Sequence, residues 1–103
     1  MNSGKLYVDD LRQPPDESWV VARSFHHAIV ELETGQYHTV SLDHDLASFY
    51  GYHEMTGRDI LNWLIARKID GKSVPSVVTC HSANPVAQDT MESDCRKYFQ
   101  RTE

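Results

Sequence analysis

Short apolar runs alternate with amphipathic helical stretches along this chain, and that alternation limits its fold more than any other feature. The apolar runs are Lys5–Val8, Trp19-Val20-Val21-Ala22, Thr39–Leu42 and Val74–Thr79. Helical patterns follow the second, third and fourth runs, so the order is β, β, α, β, α, β, α. Such an order implies a mostly parallel sheet with helices on its faces. The β-branched content of Val74–Thr79 suits a covered parallel strand. At 103 residues the chain makes one domain with one core. The expected architecture is a flavodoxin-type α/β sandwich of three layers with about four strands in the order 2-1-3-4.

Local signals place the helices. Ser24 is an N-cap, and Phe25, Ala28, Ile29 and Leu32 follow at i, i+3, i+4 and i+7, with Gly35 as the stop. His26 and His27 lie off that stripe and read as surface residues. Thr56-Gly57-Arg58-Asp59 reads as a capping box. It opens a helix carrying Ile60, Leu61, Leu64, Ile65 and Ile69, which Asp70-Gly71 ends. Asn84-Pro85 starts the last helix, with Val86, Ala87, Met91, Cys95 and Phe99 on one side. Pro14-Pro15 forbids a helix in the first connection. That ten-residue stretch is short for a parallel crossover, so the second strand is the weakest placement. Leu46–Met55 reads as a long aromatic loop in which Phe49, Tyr50 and Tyr52 serve as a lid, a base platform or simple packing.

Charge and cysteine content exclude several classes. With 10 Lys and Arg against 15 Asp and Glu, the net charge is -5. Duplex nucleic acid is bound largely through Lys and Arg on phosphates, so duplex DNA binding is not expected. No apolar run approaches the roughly 20 residues of a membrane span. The opening residues carry no secretory signal, so a cytoplasmic protein is expected. Cys80 and Cys95 lack a CxxC spacing and read as packed thiols.

The polar residues gather at strand ends. The first strand ends in Asp9-Asp10, the third in Asp43-His44-Asp45, and the fourth in His81-Ser82. In a parallel sheet all three clusters meet at the carboxyl edge, where ligands bind. Close carboxylates repel unless protonated or neutralised by a cation. Oxygen donors suit Mg²⁺, and added imidazole admits Mn²⁺. Arg12, Ser82 and the helix N-terminus at Asn84 are candidate phosphate donors. His44 and His81 are candidates for proton transfer. Each has a plainer reading: strand-end acids as turn residues, Asn84 as a cap, Arg12 paired with Asp16 or Glu17.

The blocks KLYVDDLR, VSLDHDL, TGRDILNWL and VTCHSANPVAQDTM resemble the cyclic-phosphate-processing receiver-like domain family, relatives of the response-regulator receiver, from Lys5 to about Met91. The resemblance implies that Asp9 and Asp10 bind a divalent cation. It matches Asp43 to the strand-end Asp that receivers phosphorylate and Ser82 to their hydroxyl residue. His44, Asp45 and His81 are additions of the subfamily. It implies action on a cyclic phosphate of a small nucleotide or an RNA end. The expected enzyme is therefore a metal-dependent phosphodiesterase, with Asp9, Asp10 and Asp43 on Mg²⁺ or Mn²⁺. His44, His81 and Asp45 would serve the chemistry, and Arg12, Ser82 and Asn84 the phosphate. The alternative is a regulatory module that binds a nucleotide or a protein partner without turnover. The fifth strand of receivers, with its Lys, is missing from the pattern, so phosphoryl signalling through Asp43 is the weakest expectation.

Overall fold

Four parallel strands form the sheet in this computed structural model, which describes residues 4–46, 48–50, 52–81 and 85–99, and every side chain among them except those of 48–50 and 87. In chain order the elements are β1 (Gly4–Val8), β2 (Trp19–Ala22), α1 (Phe25–Glu33), β3 (Tyr37–Leu42), β4 (Ser48–Tyr50), β5 (His53–Met55), α2 (Gly57–Ile69), β6 (Val77–Cys80) and α3 (Pro85–Tyr98). The main sheet runs β2-β1-β3-β6. Among its own strands this is the expected order 2-1-3-4; β6 carries the higher number because a hairpin intervenes. β1 pairs parallel with β2 through Leu6↔Val20 and with β3 through Leu6↔Val40, and β3 pairs parallel with β6 through Val40↔Val78.

The helices begin where their caps predict. The Ser24 hydroxyl accepts the His27 N–H at 3.1 Å. The Asp59 carboxylate reaches back to the Thr56 N–H at 2.7 Å. Gly35 and Gly71 take positive φ, 74° and 79°, just beyond the ends of α1 and α2.

One face of the sheet carries the core. Leu6, Val8, Ala22, Val40, Leu42, Val78 and Cys80 are buried in one cluster. Against them lie Ala28 and Leu32 of α1, Ile60, Leu61 and Leu64 of α2, and Met91 and Cys95 of α3. Burial of each Leu, Ile or Val is worth about 1.5–3 kcal/mol. α1 packs on α2 and α2 on α3, so the three helices make one layer. The expected three layers are therefore met on one side only among the described residues. The reason lies in the first crossover, where Pro14-Pro15 puts a loop in place of the helix that would cover the other face.

Three local expectations change. Leu46–Met55 is not plain loop: β4 and β5 pair antiparallel, Phe49 with Glu54. β6 starts at Val77 rather than Val74, because Pro75 cannot donate to a ladder. Val86 and Ile69 are 74% and 71% exposed, so the apolar sides of α3 and α2 are narrower than expected.

Candidate functional site at the strand ends

The ends of β1 and β3 bring Asp9, Asp10 and Asp43 together. One carboxylate oxygen from each lies within 4.8 Å of the others. Asp9 and Asp43 are buried, at 1% and 8% exposure. The parallel pairing explains this: Val8 is level with Leu42, so the next residue of each strand meets at the same edge.

Asp9 is fully engaged by its surroundings. Its Oδ1 accepts the N–H groups of Leu11 and Arg12, each at 2.9 Å. Its Oδ2 lies 3.0 Å from His81 Nε2. Burial works to raise this carboxyl, but the Arg12 and Leu11 N–H groups and the His81 ring outweigh it and hold it below its ordinary value. Asp43 has weaker compensation. Burial, then the charge of Asp9, push it above its ordinary value. This donor set fits a hard divalent cation. A cation would relieve the repulsion on Asp43, and Asp9 Oδ2, which accepts one bond where Oδ1 accepts two, keeps a lone pair for it.

His81 is clamped rather than free. Burial lowers its affinity for a proton despite the pull of Asp9. In the neutral ring, Nε2–H donates to the acceptor-only carboxylate of Asp9. Nδ1 then accepts the Ser41 hydroxyl, 2.6 Å away. The ring stacks on Tyr7 with centroids 4.3 Å apart and planes at 7°. Tyr7 in turn meets Trp19 edge-on at 5.8 Å.

His44 presents a different arrangement. Its Nδ1 lies 2.8 Å from Asp45 Oδ1. Asp45 accepts, so Nδ1 carries the proton and Nε2 keeps its lone pair. Among the described residues Nε2 has no hydrogen-bond partner. Asp45 orients His44 and does not join the three-carboxylate cluster.

Arg12 does not pair with Asp16 or Glu17. Its Nη1 donates to the His81 carbonyl at 3.2 Å, bridging the ends of β1 and β6. Arg23 donates to the carbonyls of Asp9 and Arg12 at 3.2 and 2.8 Å and fixes the start of the first crossover. Ser82 and Asn84 lie outside the described residues.

Four residues here escape a linear reading: Tyr7, Ser41, Arg23 and Gly57. The signal for Ser41 and Tyr7 is pairwise, since they face each other across β1 and β3. Gly57 donates its N–H to the His44 carbonyl at 2.9 Å. A Cβ on Gly57 would fall 1.9 Å from the Asp43 carbonyl oxygen, so α2 can seat on the strand end only through glycine.

The family model for the cyclic-phosphate processing receiver domain matches residues 4–97. No curated protein and no solved structure matches the chain.

Proposed function

Because the chain belongs to the cyclic-phosphate processing receiver domain family, we propose that it is a metal-dependent phosphodiesterase that opens a cyclic phosphate on a nucleotide or RNA end. The observation that carries this reading is the convergence of Asp9, Asp10 and Asp43 within 4.8 Å at the strand ends. These three would hold Mg²⁺ or Mn²⁺. Such a cation supplies Lewis acidity and offsets phosphate charge.

The chain's own residues do the rest. Arg12 keeps guanidinium N–H groups beyond the one given to His81, and these bind non-bridging phosphate oxygens. Ser82 and Asn84, outside the described residues, are assigned the same task from the sequence. His44 moves the proton at Nε2, with Asp45 fixing its tautomer. His81 holds Asp9 in position and serves as a positioning residue.

The test is a hydrolysis screen with 2′,3′- and 3′,5′-cyclic nucleotides, cyclic dinucleotides and an RNA ending in a cyclic phosphate. Each is offered with Mg²⁺, Mn²⁺ or chelator. Opening of one class with metal, lost in Asp10→Ala, is the expected result. No turnover of any class by folded protein would overturn the assignment.

A second reading, binding without turnover, draws on the engagement of both His81 ring nitrogens. Calorimetry separates the two, since a pure binder returns its ligand unchanged in the presence of metal.

A further inference from the structure

Away from the carboxylate site, a cavity of about 110 Å³ opens between β6 and α3, lined by Val78, Thr79, Cys80, Glu92, Cys95 and Arg96. Both cysteines of the chain therefore face one small space from opposite elements. Both are reduced and buried, at 8% and 3% exposure. The two thiols are near enough to shift each other's proton affinity. The Cys80 thiol also lies 3.8 Å from the Gln88 carbonyl of α3. A packed structural thiol needs no cavity and no second thiol beside it.

We propose that Cys80 and Cys95 are an oxidation site, which a hydroperoxide entering this cavity converts to an intramolecular disulfide joining β6 to α3. The Cys80 sulfur attacks the peroxide oxygen. An S–O bond forms, the O–O bond breaks, and the leaving oxygen departs as water or alcohol with the thiol proton. The Cys95 sulfur then attacks the resulting sulfenic acid. The S–S bond forms, the S–O bond breaks, and the hydroxyl leaves as water with the Cys95 proton. Two thiols are oxidised and one peroxide is reduced.

The order of attack follows from the local chemistry. The neighbouring Cys95 thiol holds the Cys80 thiol below its ordinary value. The Cys80 thiol in turn, with burial, pushes Cys95 up. Cys80 is thus the better nucleophile and Cys95 the resolving thiol. Cys80 also directly precedes His81, so the modification reaches the neighbour of the Asp9 clamp.

The experiment titrates the full chain with hydrogen peroxide. It reads intact mass under denaturing, non-reducing conditions and counts free thiols. The expected product is monomeric, lacks two hydrogens, has no free thiol and reverts with dithiothreitol. Cys95→Ala should stop at Cys80 sulfenic acid, trapped by dimedone. Oxygen addition without hydrogen loss, a disulfide-linked dimer, or thiols that react only after unfolding would each overturn the proposal. A dimedone adduct on Cys95 in Cys80→Ala, formed as fast as that on Cys80, would overturn the assigned order. The wild-type mass decides the case even if a variant fails to fold.

Discussion

Two His–Asp pairs flank the same strand ends, and they sit in different surroundings. In the His81–Asp9 pair the side chains are 18% and 1% exposed; in the His44–Asp45 pair they are 26% and 65% exposed. The first pair is closed: Asp9 accepts three donors and His81 uses both ring nitrogens. The second is open, with one nitrogen tied and the other without a partner among the described residues. Identical side chains therefore differ in burial and in partners. A buried, satisfied pair rigidifies, whereas a half-tied exposed pair can exchange a proton.

The sharpest way to break this contrast is to remove the two carboxylates separately. Asp9→Ala strands the Leu11 and Arg12 N–H groups and His81 Nε2, and should cost on the order of 3 kcal/mol. Asp45→Ala should stay within about 0.5 kcal/mol, as for exposed sites generally. Urea denaturation of both variants measures the difference, and equal losses would erase it.

Next comes activity. If cyclic phosphate is opened, His44→Gln should slow hydrolysis about 100-fold while leaving the urea midpoint in place. His81→Gln should shift the midpoint. A variant pair with the reverse pattern would exchange the roles assigned to the two histidines.

Ser41→Ala tests the clamp more gently. It leaves His81 Nδ1 without its donor and should cost about 1 kcal/mol, with little change in rate. Thermal unfolding with and without the substitution reads this effect.

The smallest effects are in pH and metal. Folded His81 binds a proton less readily than in the unfolded chain, whose value is 6.5. Its contribution to stability is whole above that value and is lost as pH falls below it through the lower folded value. His81→Gln should flatten this part of the stability curve. Asp43 has the opposite sign. Its folded value is raised, so its contribution is present below the ordinary 3.8 and lost as pH rises through the folded value. Asp43→Asn should then stabilise the metal-free protein slightly at neutral pH. Added Mg²⁺ should raise the melting temperature of the wild type but not of this variant; an equal rise in both would remove Asp43 from the cation site.

Much of this arrangement is legible along the chain because it is carried by local signals. Ser24, the Thr56–Asp59 pair and Gly35 mark helix ends by chemistry that acts within a few residues. The acid and histidine clusters mark strand ends, and parallel pairing brings Asp9, Asp10, Asp43 and His81 from all three of them to one edge. The hairpin β4–β5 is less legible, since three-residue strands carry too short an alternation to read. The one-sided helix layer follows from Pro14-Pro15, although the sandwich expectation supplied a third layer. The distinct roles proposed for His44 and His81 depend on what faces each ring. Ser41 and Tyr7 become neighbours of His81 only through strand register, which no local pattern records.

The Asp9–His81 bond joins positions 72 residues apart. The sheet holding it is parallel throughout, so none of its strand pairs closes through a tight turn. The β1–β3 and β3–β6 pairings must first meet the entropy of closing a long loop, which slows folding relative to helical proteins of this size. The stack of His81 on Tyr7 can form only after β1, β3 and β6 have come together. In a refolding experiment, the ring-current shift of the His81 protons against Tyr7 is therefore a clock for arrival at the native topology, independent of helix content.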